Sequence, residues 1–228
     1  GTVTEVDGKT VYGFGHQFMG IGPLEMPIAA GTVHTVVAGV LRSNKYITPG
    51  PVAGTLHFDE YCGVVGEVGA EPTMIPLTVK VERYNDPEMR AYHCRMASNE
   101  RYSPLVLQSA IIGAITMRGP LPPEHTLRYE ARIDVEGFEP VTFENISTQS
   151  SYGEIADETA GLLSLVMDNR FEEARIRSIT VDVDVENTDR LAFIKAARVS
   201  DDVVKAGETI EVDVLLQSPI GKSRPGTT

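Results

Sequence analysis

The chain has 228 residues, of which 42% are hydrophobic and 23% charged, and it carries a formal net charge of −12. This composition is typical of a globular protein that buries a core. The acidic balance argues against nucleic acid and against anionic membrane surfaces as partners. No apolar run approaches the ~20 residues that span a bilayer, so we expect no direct membrane insertion.

The first elements in the chain are predicted strands. Residues 2–6 and 10–12 flank Asp7-Gly8, a preferred pair for a tight hairpin turn. A glycine-rich stretch follows at residues 13–22 and contains His16. Glycine allows tight turns and close approach of the backbone, and histidine titrates nearest neutral pH, which suits a general base. An incidental histidine in a glycine-rich loop is the alternative interpretation.

The next part also favours strands. Residues 33–40 are apolar and predict either a buried strand or a short helix, which periodicity does not distinguish. Residues 48–51 predict a turn. Further strands are expected at residues 54–58, 63–68 and 75–81, with glycines that indicate bulges, as in a strongly curved sheet or barrel. An interruption at residues 83–88 predicts a domain boundary, which divides the chain into residues 1–84 and 85–228.

The second part of the chain predicts an α+β arrangement. Ser103-Pro104 is a helix start, and the nearly all-apolar run through Met117 predicts a buried helix. Ser151 and Glu154 form a capping-box pattern that opens a second helix through about Met167. Strands are predicted at residues 126–135, 140–143, 179–186, 191–194 and 209–216, and alternation of apolar and polar residues is clearest at 179–186.

The chemistry-bearing residues exclude several kinds of site. Two cysteines, Cys62 and Cys94, are too few for a disulfide scaffold or a closed zinc site. They are expected either to pair with each other in an oxidising compartment or to be two buried thiols. The five histidines have no metal-ligand spacing, so no metal and no other cofactor is expected. No serine has the flanking glycines of an advertised nucleophile.

Several short motifs together resemble the SpoIVB-type serine peptidase domain. Gly1-Thr2-Val3-Thr4 opens a hairpin that leads into Gly13-Phe14-Gly15-His16, similar to the family's G-T-[LV]-T hairpin and G-x-G-H motif. Gly54-Thr55-Leu56 and the later Gly63-Val64-Val65-Gly66 resemble its G-x-I-x(6)-G-[IV]-x-G segment. The resemblance covers about the first 80 residues. It implies a trypsin-like fold of paired β-barrels, a protein or peptide substrate, and a location at or outside the cytoplasmic membrane of a bacterium.

The resemblance also implies roles for individual residues. His16 matches the family's general base, and Asn99 stands where the family has the aspartate that assists it; Asp59 is an alternative partner. The family's G-M-S-G-S-P nucleophile motif is absent, and in longer relatives it lies upstream of the hairpin. We therefore expect this chain to be part of a longer protein and to be inactive by itself. His16 is expected to be exposed at a strand end, within reach of Asp59 or Asn99.

The sequence thus predicts a mainly β protein, with a trypsin-like barrel portion and a C-terminal α+β extension. The expected function is part of a serine endopeptidase of SpoIVB type, to which this chain supplies the base. The alternative is a non-catalytic β-rich domain that uses the same scaffold for binding or assembly. The sequence does not predict the oligomeric state.

Overall fold

The chain forms three β-sheets and two helices, seen in a computed structural model that describes residues 2–41, 43–148, 152–172, 174–201, 203–217 and 223–227. The expected mainly β character is confirmed. Each of the three sheets has two unpaired edges, so among the described strands no sheet closes into a barrel.

The first sheet contains the N-terminal strands, paired antiparallel in the order β1-β2-β5-β4-β3. These strands are β1 (Glu5–Asp7), β2 (Thr10–Phe14), β3 (Gly22–Val37), β4 (Asn44–Glu60) and β5 (Gly63–Val68). The predicted tight hairpin is present between β1 and β2, where Asp7 pairs with Thr10 and Gly8 has a φ of 59°. β3 and β4 form one long hairpin that extends well beyond the rest of this sheet.

The second sheet has the order β7-β6-β10-β8-β9 and holds the core. Its elements in chain order are β6 (Met74–Arg83), β7 (Asp86–Ala97), α1 (Ser103–Thr116), β8 (Thr126–Val135), β9 (Val141–Ser147), α2 (Gly153–Met167) and β10 (Ile176–Glu186). β6 and β10 are parallel, whereas the other pairs are antiparallel. A third sheet contains β11 (Phe193–Val199), β12 (Val212–Gln217) and β13 (Ser223–Thr227).

The alternation in β10 places one set of its side chains in the core. Val181, Val183 and Val185 are buried and belong to the core cluster, whereas Asp182 lies on the opposite, open face, where Lys80 pairs with it at 2.9 Å. α1 and α2 pack against each other and against the buried face. The period-2 prediction is confirmed, because side chains of a strand alternate between its two faces.

Both helices are present, but their surroundings differ from the prediction. α1 is apolar around its whole circumference, as predicted, but it is buried only in part, because Leu105 and Val106 are exposed. It packs on the sheet with one side and on α2 with another, which leaves a third side without a neighbour among the described elements. α2 begins at Gly153, and the predicted cap Ser151 lies outside the described residues. Glu154 accepts a hydrogen bond from the Ser147 hydroxyl.

Three further expectations need correction. Residues 33–40 are strand up to Val37 but exposed, because they lie in a two-stranded hairpin and not in a layered core. Residues 48–51, predicted as a turn, lie inside β4. Cys62 and Cys94 are free thiols, and both are exposed, so they form neither a disulfide nor two buried thiols.

The expected division at residues 84 and 85 falls inside the β6–β7 hairpin, where Arg83 pairs with Asp86. Strands on both sides of it therefore belong to one sheet, and the residues that interrupt the strand pattern form a hairpin turn. The chain passes from the first sheet to the second in the segment between Val68 and Met74. In that segment Thr73 donates its N–H to the Glu25 carboxylate at 2.7 Å, which joins β3 to the start of the second sheet.

Candidate active site around His16

His16 is exposed and lies two residues after the end of β2. Gly15, which precedes it, has a φ of 121°, a conformation that side chains with a Cβ rarely adopt. The Gly15 N–H donates to the Cys62 carbonyl at 3.0 Å, so the chain is still held at the point where it leaves the sheet. The expectation of an exposed histidine at a strand end is confirmed.

The loop that follows His16 is held by one buried carboxylate. Asp59, near the end of β4, has no exposed surface. Its Oδ1 accepts the N–H of Phe18 at 2.6 Å, and its Oδ2 accepts those of Met19 and Gly20 at 2.6 and 2.7 Å. Hydrogen bonds to an ionised acceptor are short and strong. Asp59 therefore fixes the loop by its backbone, whichever side chains the loop carries.

These hydrogen bonds set the ionisation of the carboxyl group. Burial by itself raises the pKa of Asp59, because it disfavours the charged form. The N–H groups of Met19, Phe18, Gly20 and Ile21 favour the charged form and together outweigh burial, so the pKa lies below its usual value. Asp59 is therefore a stable anion at neutral pH.

The His16 ring is oriented by the backbone of the next residue. Its Nδ1 forms a short hydrogen bond with the carbonyl oxygen of Gln17. A carbonyl oxygen can only accept, so Nδ1 carries the proton and Nε2 of the neutral ring has a free lone pair. No described residue forms a hydrogen bond with Nε2. This tautomer is the one in which Nε2 can accept a proton as a general base.

The two partners predicted for His16 have other neighbours. Among the described residues, no hydrogen bond joins the His16 ring to Asp59 or to Asn99. Asn99 lies at the start of α1, where its side-chain oxygen accepts the N–H groups of Arg101 and Tyr102 at 3.0 and 3.2 Å. Its backbone N–H and the Ser103 hydroxyl lie 2.8 Å apart. Asn99 thus stabilises the turn that leads into α1, which begins at Ser103.

Sequence reasoning missed two contributions to this arrangement. A backbone carbonyl such as that of Gln17 leaves no signal, because every residue has one. Asp59 does have a signal, since it is a carboxylate at a strand end in the same sheet as a loop rich in glycine and therefore in accessible N–H groups. That pattern is typical of a carboxylate that binds a loop, and it explains Asp59 better than contact with the imidazole ring does.

Within the part of the chain that the structure describes, no three His, Cys, Asp or Glu side chains are grouped to hold a metal ion. The helices of the described part include none with the length and apolar character needed to cross a membrane.

Comparison with known proteins adds little to this picture. Neither the family models nor the curated proteins contain a match to the chain. Among solved structures, exotoxin 6 from Staphylococcus aureus is 11% identical over an alignment that covers 71% of this chain and 93% of the exotoxin. The TM-score of that alignment is 0.26, a value too low to show a shared fold.

Proposed function

We propose that this chain is part of a serine endopeptidase of SpoIVB type and that His16 is its general base. The observation that carries the proposal is the hydrogen bond from Nδ1 of the exposed His16 to the Gln17 carbonyl, which leaves Nε2 with a free lone pair. The loop held by Asp59 supports the same role, because it keeps the ring in a fixed place beyond the end of β2.

The chemistry assigned to His16 is a proton transfer in two directions. Nε2 accepts the hydroxyl proton of the nucleophilic serine while the serine oxygen attacks the peptide carbonyl, and the imidazolium then donates that proton to the leaving amine. The Gln17 carbonyl orients the ring and fixes its tautomer. A carbonyl stabilises the imidazolium less than a carboxylate does, since it carries no full charge. By the resemblance, the serine itself lies upstream of the hairpin.

We also assign the first sheet to a portion of a trypsin-like barrel. Its strands approach each other closely at the glycines of the family-like motifs. A Cβ at Gly54 would lie 2.1 Å from the Glu67 carbonyl oxygen, and one at Gly66 would lie 2.7 Å from that of Thr55. Register shifts interrupt the β4–β5 and β3–β4 pairs. Bulges and close strand contacts support strong coiling of the sheet, which barrel formation requires.

A fluorophosphonate probe, which labels activated serines, tests the proposal. The chain as it stands is expected to stay unlabelled, whereas the protein extended upstream of Gly1 is expected to react. His16→Ala should abolish labelling of the extended protein. His34→Ala is the matched control, since His34 is also exposed and lies in β3 of the same sheet.

Three outcomes would contradict the peptidase proposal. The first is labelling of a serine within residues 1–228, and the second is equal labelling of the His16→Ala and His34→Ala proteins. The third is a folded extended protein that does not react at all. The third outcome would favour a non-catalytic binding or assembly domain, the second candidate. A specific observation favours that candidate too, because the β3–β4 hairpin exposes many apolar side chains.

A further inference from the structure

The outer part of the β3–β4 hairpin, residues 29–41 and 43–53, is not covered by any other strand or helix that the structure describes. We call it the arm. Every described residue of the arm is exposed, on both faces of the ribbon. Val33 pairs with Ile47 across the two strands, and each is 50% exposed. Val40 and Leu41, between the strands, are almost fully exposed. An isolated two-stranded ribbon is marginally stable in water, so we expect a partner to cover it.

The edges of the arm are poorly suited to pairing with another strand. On β4 the arm contains Pro49 and Pro51, which lack the N–H group that a ladder needs. On β3 the register shifts between Ile28 and Ala29, between Ala29 and Gly31, and between Val33 and Thr35. Prolines and bulges are features that natural proteins use to prevent edge-to-edge pairing. We therefore expect a partner to contact the faces of the arm and not its edges.

The charge of the arm differs from that of the whole chain. The chain has 32 acidic residues, but none lies between Met26 and Phe58. Lys45 in the arm donates a hydrogen bond to the Thr2 hydroxyl at 3.1 Å and has no carboxylate partner among the described residues. An apolar surface with unpaired positive charge is complementary to a surface that combines apolar and acidic side chains.

Such a surface exists on the open face of the second sheet. A groove of about 570 Å³ there is lined by five acidic residues and two basic ones, and by the exposed side chains of Met89 and Ile146. The acidic residues are Glu82, Glu130, Glu144, Asp182 and Asp184, and the basic ones are Lys80 and Arg128. Lys80 pairs with Asp182, but in the described part of the chain no salt bridge reaches Glu130, Glu144 or Asp184. Burial raises the pKa of Asp184, and the neighbouring acids Glu186 and Glu82 raise it further, whereas Arg128 and Arg190 act in the opposite direction without cancelling the rise.

The surface area of the chain supports association. The accessible surface is 15380 Å², whereas a compact monomer of 24.8 kDa is expected to expose about 10,000 Å². A stable interface between proteins buries about 1,600 Å² in total. The excess has at least two sources, the arm and the third sheet, in which every side chain of β11 is exposed.

We propose that the arm of one copy of this chain docks in the acidic groove of a second copy, in a reciprocal pair. Two-fold symmetry lets each copy give one arm and receive the other, and it closes the assembly at two subunits. Val33 and Ile47 contribute the apolar contact, and Lys45 lies against the acidic lining. The pairing is independent of the role of His16.

Light scattering coupled to size exclusion, at a series of protein concentrations, tests the pairing. The wild-type protein should elute with about twice the mass of 24.8 kDa. Val33→Glu should give a monomer, because it places a carboxylate against the acidic groove. Val3→Glu is the matched control, since Val3 lies outside the arm and is also an exposed valine, at 59% against 50% for Val33. Circular dichroism should show that both variants are folded.

A charge reversal tests the proposed orientation. Lys45→Glu should raise the dissociation constant about tenfold or more, and Glu130→Lys in the same chain should restore pairing. Lys195→Glu, a reversal at an exposed residue of β11, should have no effect. The proposal is overturned by a monomer at every concentration, by equal effects of Val33→Glu and Val3→Glu, or by failure of Glu130→Lys to restore the pair. It is also overturned if the protein is monomeric and sediments with anionic phospholipid vesicles through its arm.

Discussion

Asp59 is the residue on which the His16 loop depends, because its two carboxylate oxygens accept three short hydrogen bonds from that loop. Asp59→Asn keeps the shape but removes the charge and places an amide NH₂ among N–H donors. We expect it to lower the free energy of unfolding in urea by about 2–4 kcal/mol. Glu60→Gln, at the exposed neighbouring position, should change it by less than about 0.5 kcal/mol. Equal effects of the two changes would contradict the anchoring role.

The same carboxyl group predicts a pH dependence of stability. The folded pKa of Asp59 lies below its unfolded value, so the unfolded chain binds more protons in the range between the two. Its contribution is therefore complete above the unfolded pKa of about 3.9 and is lost as the pH falls toward the folded pKa. Urea unfolding at acidic pH should show a smaller loss of stability in Asp59→Asn than in the wild type. Parallel curves for the two proteins would exclude this linkage.

The two thiols give a test of the cysteine assignments. Both are free and exposed, so Ellman's reagent should titrate two thiols per folded chain without denaturant. The protein around Cys94 nevertheless shields its thiol from part of the solvent and so raises its pKa, which reduces the thiolate fraction and should slow its reaction at neutral pH. Cys62→Ser should leave the slower reaction. Protection of both thiols until denaturant is added would show that the cysteines are bridged or buried.

At the scale of single residues, the sequence predicts which groups carry chemistry better than it predicts their contacts. The glycines around His16 indicate an exposed histidine, because glycine adopts the backbone conformations of tight turns and loops more readily than other residues do. Asp59 and Asn99, however, have backbone partners, a loop in one case and a helix start in the other. Side-chain oxygens often accept hydrogen bonds from backbone N–H groups, and the sequence does not indicate which N–H group will be the donor.

At the scale of elements, the C-terminal end of the helix α1 is stabilised by a buried arginine from the strand β6. Arg83 at the end of β6 donates to the carbonyl oxygens of Ile115, Gly119 and Pro120 at 2.8, 3.1 and 2.9 Å. Arg83 thus provides hydrogen-bond donors for carbonyl groups at and beyond the C-terminus of α1, where a positive charge is favourable. Arg83→Ala should lower the free energy of unfolding by about 2–4 kcal/mol, because it leaves these carbonyls without a donor.

Urea denaturation is the appropriate measurement, with Arg177→Ala as the control at an exposed arginine on the same sheet. Arg83→Lys should recover only part of the loss, because an ammonium group lacks the planar fork that reaches separate acceptors. Full recovery by lysine would mean that charge alone, and not geometry, explains the role of Arg83. Equal losses in Arg83→Ala and Arg177→Ala would contradict the capping assignment.

Elements with strict periodicity could be predicted well. β8 has the predicted bounds, and β10 shows the predicted alternation, because both strands lie between a core and an open face. The prediction fails for residues 33–40 and 48–51, both in the arm. An apolar run indicates that side chains avoid water, but it does not say whether a core or a partner covers them.

At the scale of the whole molecule, the order of the strands in the second sheet depends on pairing between distant parts of the chain, which local sequence patterns do not indicate. β6 lies beside β10 in parallel, although residues 84–175 separate the two strands in the chain. Residues 83–88 interrupt the strand pattern, and from the sequence alone such an interruption indicates a domain boundary. In the structure these residues include the turn of the β6–β7 hairpin, which lies inside one sheet. The distribution of the core follows from this pairing, since the buried cluster lies between the second sheet and its two helices.

This distribution predicts that the arm contributes little to the stability of a single chain. Ala29 pairs with Val52 at its base, so replacement of residues 30–51 by Asn-Gly joins the paired residues through a two-residue turn. No arm residue belongs to the buried cluster. In urea, at concentrations where the protein is monomeric, the shortened chain should unfold with a free energy within about 1 kcal/mol of the wild type. Replacement of the β6–β7 turn residues Tyr84-Asn85 by Gly-Gly, which alters the core sheet, is the comparison. A loss of several kcal/mol from the shortened arm alone would show that the arm supports the fold of its own chain, and its exposed valines would then need an intramolecular explanation.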